Sequence, residues 1–132
     1  MRDLPAARSF YDVLMPALGL TDIVEDAAEG AVEYYHPPLG TNAPRPFFGL
    51  HGDPGHIAND TCVAFTAATP GDVDRLAQIA LAAGARDMEG PEIPYSSERY
   101  YAVFFRDPSG NRLEICYRRA HEDRSEAIAA GT

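Results

Sequence analysis

The chain has 132 residues, 45% of them apolar, which suits one compact domain with a core of its own. Its formal charge is -9 and all 11 basic residues are arginines, which disfavours nucleic-acid and anionic-membrane partners and excludes lysine Schiff-base chemistry and a Walker-type phosphate loop. No apolar run approaches the roughly 18 residues needed to cross a bilayer, and MRDLPAARSF lacks the apolar stretch of a signal peptide, which predicts a cytoplasmic protein with no membrane partner.

In chain order, Asp3 is placed to cap a first helix whose Leu4, Ala7, Tyr11, Leu14 and Leu18 recur at helical spacing, with Gly19 as the stop. Short extended segments follow at about Asp22 to Asp26, Ala31 to His36 and Phe47 to His51, with a Pro- and Gly-rich loop from His36 to Pro46. Gly52 to Asn59 reads as a connector, and Asp60 to Ala67 as a further strand. Thr69-Pro70-Gly71-Asp72 opens a second helix as a capping box, Val73, Leu76, Ala80 and Ala83 form its apolar stripe, and Gly84 ends it. Three strands come last, at Ala85 to Met88, Tyr100 to Arg106 and Arg112 to Arg118. The second half thus reads βαβββ and the first αβββ, an internal repeat with one strand missing, in an α+β fold. Module one covers residues 1–51, module two 60–119, and 120–132 is a polar, alanine-rich tail. Cys62 and Cys116 lie in strand segments and read as free thiols.

Asp107-Pro108-Ser109-Gly110 is a turn signal between two strands. Setting Arg106 opposite Asn111 pairs Phe105 with Arg112, Val103 with Glu114 and Tyr101 with Cys116 on one face. Ala102, Phe104, Leu113 and Ile115 then form an apolar face against a helix, and Glu114 points the other way. The same alternation turns Val63 and Phe65 to a helix and Cys62, Ala64 and Thr66 away from it. Glu114, Cys62, Tyr101 and Arg112 are therefore expected around one space, suited to a metal or a polar ligand.

The run FFRDPSGNRLEI resembles the last hairpin of the vicinal-oxygen-chelate superfamily, which includes glyoxalases, bleomycin resistance proteins and extradiol dioxygenases. Its members often read F-x-D-P-x-G-N-x-x-E, with that Glu as a metal ligand. DLPAARSFYDVLMPALGL resembles the family's first helix, and CVAFTA with DVDRLAQIALAAGA the opening of its second module. The resemblance implies paired βαβββ modules forming a cup-shaped mixed sheet, a homodimer, and a small-molecule ligand. It also implies a divalent metal (Zn, Mn, Ni or Fe) held by Glu114, with Cys62 at a position where relatives often carry His, and His51 or His56 as substitutes. Here Met1 stands two residues before Asp3, where relatives have a strand; either translation starts further upstream or the strand is lost, leaving an edge for another chain. Tyr101 and Glu114 are the expected catalytic residues, and Phe47, Tyr101, Phe105 and Arg112 the ligand-binding ones. Two functions follow: a metal-dependent lyase, isomerase or dioxygenase acting on vicinal oxygens, or a metal-free, bleomycin-resistance-like protein that sequesters its ligand in an aromatic cup. Structural alternatives stand beside them: Glu114 as a carboxylate paired with Arg112 or Arg99, Cys62 as a small buried hydrophobe, and the histidines as surface residues.

Overall fold

A computed structural model describes residues 1–38, 45–91 and 99–119. The tail at 120–132 and part of the loop between His36 and Pro46 lie outside them. Helix α1, Leu4–Ala17, starts where Asp3 turns extended and its carboxylate accepts the Ala6 amide at 3.1 Å. Pro5 sits in the first turn, where a missing N–H costs nothing, and Gly19, at φ +95°, takes the chain out. Its buried stripe is Ala7, Phe10, Tyr11, Leu14 and Met15. Phe10 and Met15 join the residues expected there, and Leu4 and Leu18 pack at its margin.

The strands β1 (Asp22–Asp26), β2 (Ala31–Tyr35) and β3 (Phe47–His51) form one antiparallel sheet in the order β1-β2-β3. Strand β4 (Cys62–Thr66) leads to helix α2, Pro70–Ala83, whose cap Thr69 accepts the Asp72 amide through its hydroxyl at 3.1 Å. Val73, Leu76, Ala77 and Ala80 form its buried face, and Gly84 ends it at φ +114°. Strands β5 (Arg86–Glu89), β6 (Tyr100–Arg106) and β7 (Arg112–Arg118) complete a second sheet, ordered β4-β7-β6-β5, in which β4 runs parallel to β7. The whole is an open, cup-like α+β fold. The two helices pack against each other, and one core runs from Phe10 and Leu14 of α1 through Leu76 of α2 to Val103, Phe105, Leu113 and Ile115. Burying each such side chain contributes roughly 1.5 to 3 kcal/mol.

The final hairpin corrects the expected register by one residue. Arg106 lies opposite Arg112, Phe105 opposite Leu113, Phe104 opposite Glu114 and Tyr101 opposite Tyr117. The turn accounts for the shift. Asp107 accepts the amides of Ser109 and Asn111 on one carboxylate oxygen, at 2.9 and 2.8 Å, and its own amide donates to the Asn111 carbonyl at 2.9 Å. The ladder therefore closes at Asp107 and Asn111. Because side chains alternate with period two, one residue of slip moves all of β6 to the other face: Tyr101, Val103 and Phe105 face the helices, and Tyr100, Ala102, Phe104 and Arg106 face away.

The two halves repeat in register. Met1 and Ala67 each lie two residues before a helix cap. The Met1 ammonium donates to the His51 carbonyl at 2.6 Å, as the Ala67 amide donates to that of Cys116 at 2.8 Å. Opposite His51 stands Ala31, and opposite Cys116 stands Ala102, so buried alanines occupy matching places in β2 and β6. By this correspondence Glu114 has Gly49 as its counterpart, and His51 has Cys116.

Candidate functional site on the open face of the second sheet

Strand alternation sends Arg112, Glu114 and Cys116 of β7, Tyr100 and Phe104 of β6, and Cys62 and Ala64 of β4 to the face turned away from the two described helices. Glu114 is half-buried at the centre of that face and accepts a hydrogen bond from the Tyr100 hydroxyl at 3.0 Å. Burial, and then the Glu114 carboxylate beside it, push the Tyr100 phenol up to about 12. Arg112 is half-buried and its guanidinium carbon stands 5.5 Å from the centre of the Phe104 ring, while that of Arg118 lies 5.0 Å from the Tyr100 ring. Cys62 is exposed, and burial of its sulfur with the nearby Glu114 charge raises its thiol; Cys116 is buried, and burial followed by its hydrogen bond with Glu114 raises its thiol. Both are free thiols, and neither is an activated nucleophile.

The first sheet offers a smaller matching set. Phe47 is 59% exposed and stacks on Tyr35 with ring centres 5.2 Å apart, and Arg45 lies 4.5 Å over the other ring while pairing with Asp22. The Tyr35 hydroxyl donates to Glu33, which raises its phenol. His51 is exposed on the same side. Between β3 and β4 runs a cleft of about 500 Å³, lined by Phe48, Leu50 and His51 on one side and by Thr61, Val63 and Arg112 on the other.

The expected site residues thus divide. Glu114, Cys62 and Arg112 share the open face, with Phe47 on the matching face of the other sheet. Tyr101 and Phe105 do not join them. The Tyr101 hydroxyl donates to Asp74 of α2 at 2.7 Å, and Phe105, 1% exposed, packs in the core and meets Phe10 edge-on. Ala102 rather than Tyr101 stands opposite Cys116, and Tyr100 supplies the phenol of the open face, a consequence of the turn register rather than of any change in residue type. His56 bonds Asn111 at 2.8 Å through its Nε2, as a connector residue holding the hairpin. Asp107 was legible only as a turn residue. It is fully buried, and its second oxygen takes the Tyr11 hydroxyl at 2.6 Å, tying the hairpin to α1. Among the described residues, no three His, Cys, Asp or Glu side chains come together as a metal site.

The family assignment rests on sequence, since the profile of the glyoxalase/bleomycin resistance protein/dioxygenase superfamily matches residues 1–115. This chain belongs to that superfamily. Solved structures share its fold: a glyoxalase/bleomycin resistance protein from Albidiferax ferrireducens T118 is 24% identical, with a TM-score of 0.71 over 89% of this chain and 92% of that one. A glyoxalase/dioxygenase from Nostoc punctiforme is 23% identical, at 0.62 over 91% and 86%. The fosfomycin resistance protein FosX from Mesorhizobium loti is 16% identical, at 0.60 over 94% and 90%. No curated protein matches the chain. None of its described helices is long and apolar enough to cross a membrane.

Proposed function

We propose that this superfamily member is a small-molecule-binding protein whose ligand rests on the open faces of the two sheets, with Glu114 as the polar anchor. The supporting observation is the set Tyr100, Glu114 and Arg112 laid over Phe104 at the middle of the sheet face turned away from the two described helices. A carboxylate and a guanidinium beside aromatic rings suit a ligand that carries both polar groups and a flat apolar part. Phe47 and Tyr35 add a second aromatic surface from the first sheet. Superfamily members typically dimerise, and we take the working unit here to be a homodimer, to be read by sedimentation.

Superfamily members often use divalent metals, and Glu114 is the residue that would hold one. The donor set falls short of that. Its near neighbours are a phenol and two thiols whose protons are held more firmly than usual, and His51 matches Cys116 rather than Glu114 in the internal repeat. Thiolates also suit zinc and poorly suit manganese. The test is a thermal-shift screen of small polar aromatic compounds on tag-free protein, with zinc, manganese, nickel and iron(II) titrated separately. The reading expects hits that Glu114→Ala and Arg112→Ala abolish and Tyr101→Phe leaves intact. Stoichiometric metal lost in Glu114→Ala would favour the enzyme instead.

A further inference from the structure

At the outer edge of the second sheet, β5 carries a bulge. Arg86 lies opposite Arg106 and Glu89 opposite Phe104, so three steps along β5 span two along β6. The extra residue lets Arg86 and Glu89 both take the open face, where strict alternation would have turned one of them towards the helices. Asp87 sits within the bulge at φ +52°, a left-handed conformation that Asp tolerates better than most side chains.

Beside the bulge is a cavity of about 110 Å³, lined by Asp87, Glu89, Phe104, Phe105, Arg106 and Arg112. Its charges divide by strand. The two carboxylates belong to β5, and the two guanidinium groups to the cross-strand pair Arg106 and Arg112 of β6 and β7. Among the described residues neither guanidinium is ion-paired, with Asp87 and Glu89 or with any other carboxylate. Arg106 gives one N–H to the Gly110 carbonyl at 2.8 Å and Arg112 lies over the Phe104 ring, which leaves most of their donors open. Both are half-buried, and a cation partly withdrawn from water without a counter-charge is costly. Like charges directly opposite on neighbouring strands add repulsion. An anionic group between the two relieves both costs.

A plain anion would also face the Asp87 and Glu89 carboxylates, and a plain cation would face both arginines. A molecule with both charges close together meets each wall with its complement. The volume is well under the roughly 300 Å³ of a site that encloses a drug-sized ligand, so the cavity suits a head group with the rest of the molecule outside. We propose that it binds the zwitterionic head group of an aromatic α-amino acid, with the carboxylate between Arg106 and Arg112 and the ammonium at Asp87 and Glu89. The side chain continues over Phe104 towards Tyr100, along the same face of β6. That last placement rests on the open-face reading above; the head-group site does not.

The test is an NMR titration of the protein at pH 7 with L-phenylalanine, with 3-phenylpropionate, which lacks the ammonium, and with 2-phenylethylamine, which lacks the carboxylate. L-phenylalanine is expected to shift the amides of Asp87, Glu89 and Arg106 saturably and to bind about 10-fold or more tighter than either of the others. Replacing both exposed carboxylates, by Asp87→Asn with Glu89→Gln, should bring its affinity down to that of 3-phenylpropionate, and Arg112→Gln down to that of 2-phenylethylamine. Equal affinity for the three compounds in the unaltered protein overturns the inference, as does the absence of a saturable shift with any of them. Shifts at Tyr100 and Glu114 that miss Asp87, Glu89 and Arg106 overturn it and leave the open-face reading standing. Shifts at Asp87, Glu89 and Arg106 with Glu114 silent support it and count against that reading.

Discussion

The two sheets are built from the same repeat, yet among the described residues the first has three strands and the second four. Strand β7 has neighbours on both sides, buries Leu113 and Ile115 towards the helices, and holds Glu114 on a firm open face. Its counterpart β3 has one neighbouring strand, and beyond the single rung at Met1 its other edge faces the cleft. A central strand fixes its side chains by packing on both flanks, whereas an edge strand leaves them half in water. The candidate site accordingly concentrates on the second sheet, and the first contributes mainly the Phe47 and Tyr35 stack.

The largest effect is expected where the second hairpin is locked. Asp107→Ala removes a buried carboxylate and strands the Tyr11 hydroxyl and the Ser109 and Asn111 amides, so it should cost about 3 kcal/mol in urea unfolding. Next, Val103→Ala should cost roughly 2 kcal/mol and Val63→Ala about 0.5 or less in the 132-residue chain, because only the first leaves a sealed void. Equal losses would mean that the cleft beside Val63 is closed. Tyr100→Phe should cost about 1 kcal/mol near neutrality for its lost bond to Glu114. The pH dependence has a definite sign. The folded phenol is raised from 10.0 to about 12, so its contribution is whole below pH 10 and is lost as pH rises through about 12. Urea unfolding at pH 8 and pH 11.5 should show wild type losing its advantage over Tyr100→Phe; a constant gap would contradict the raised phenol. Smallest, Cys62 should react with a disulfide reagent more slowly at pH 7 than the cysteine of an unstructured peptide despite its exposure.

Much of this fold was legible because local chemistry and periodicity agree. Asp3, Thr69, Gly19 and Gly84 mark both helices, and period-two runs mark the strands to within a residue or two. The α+β repeat lacking one strand followed from those elements. The register of β6 did not, because it depends on whether the turn closes at Arg106 or at Asp107, and the Asp107 carboxylate decides that through bonds that spacing cannot reveal. Glu114 kept its place because β7 itself carries the alternation Leu113, Glu114, Ile115. Tyr101 and Phe105 lost theirs because their place was inferred across the turn. The burial of Asp107 depends on Tyr11, 96 residues away, and had no local signal.

The central claim is that ligand chemistry lives on the face shared by Tyr100, Phe104, Arg112 and Glu114. The most direct measurement is chemical-shift mapping by NMR with the strongest hit from a small-molecule screen. The account predicts perturbed signals at those four residues and at Cys62, with Tyr101 and Phe105 little changed. Perturbation centred on Tyr101, Phe105 and Asp74, with Glu114 silent, would contradict it.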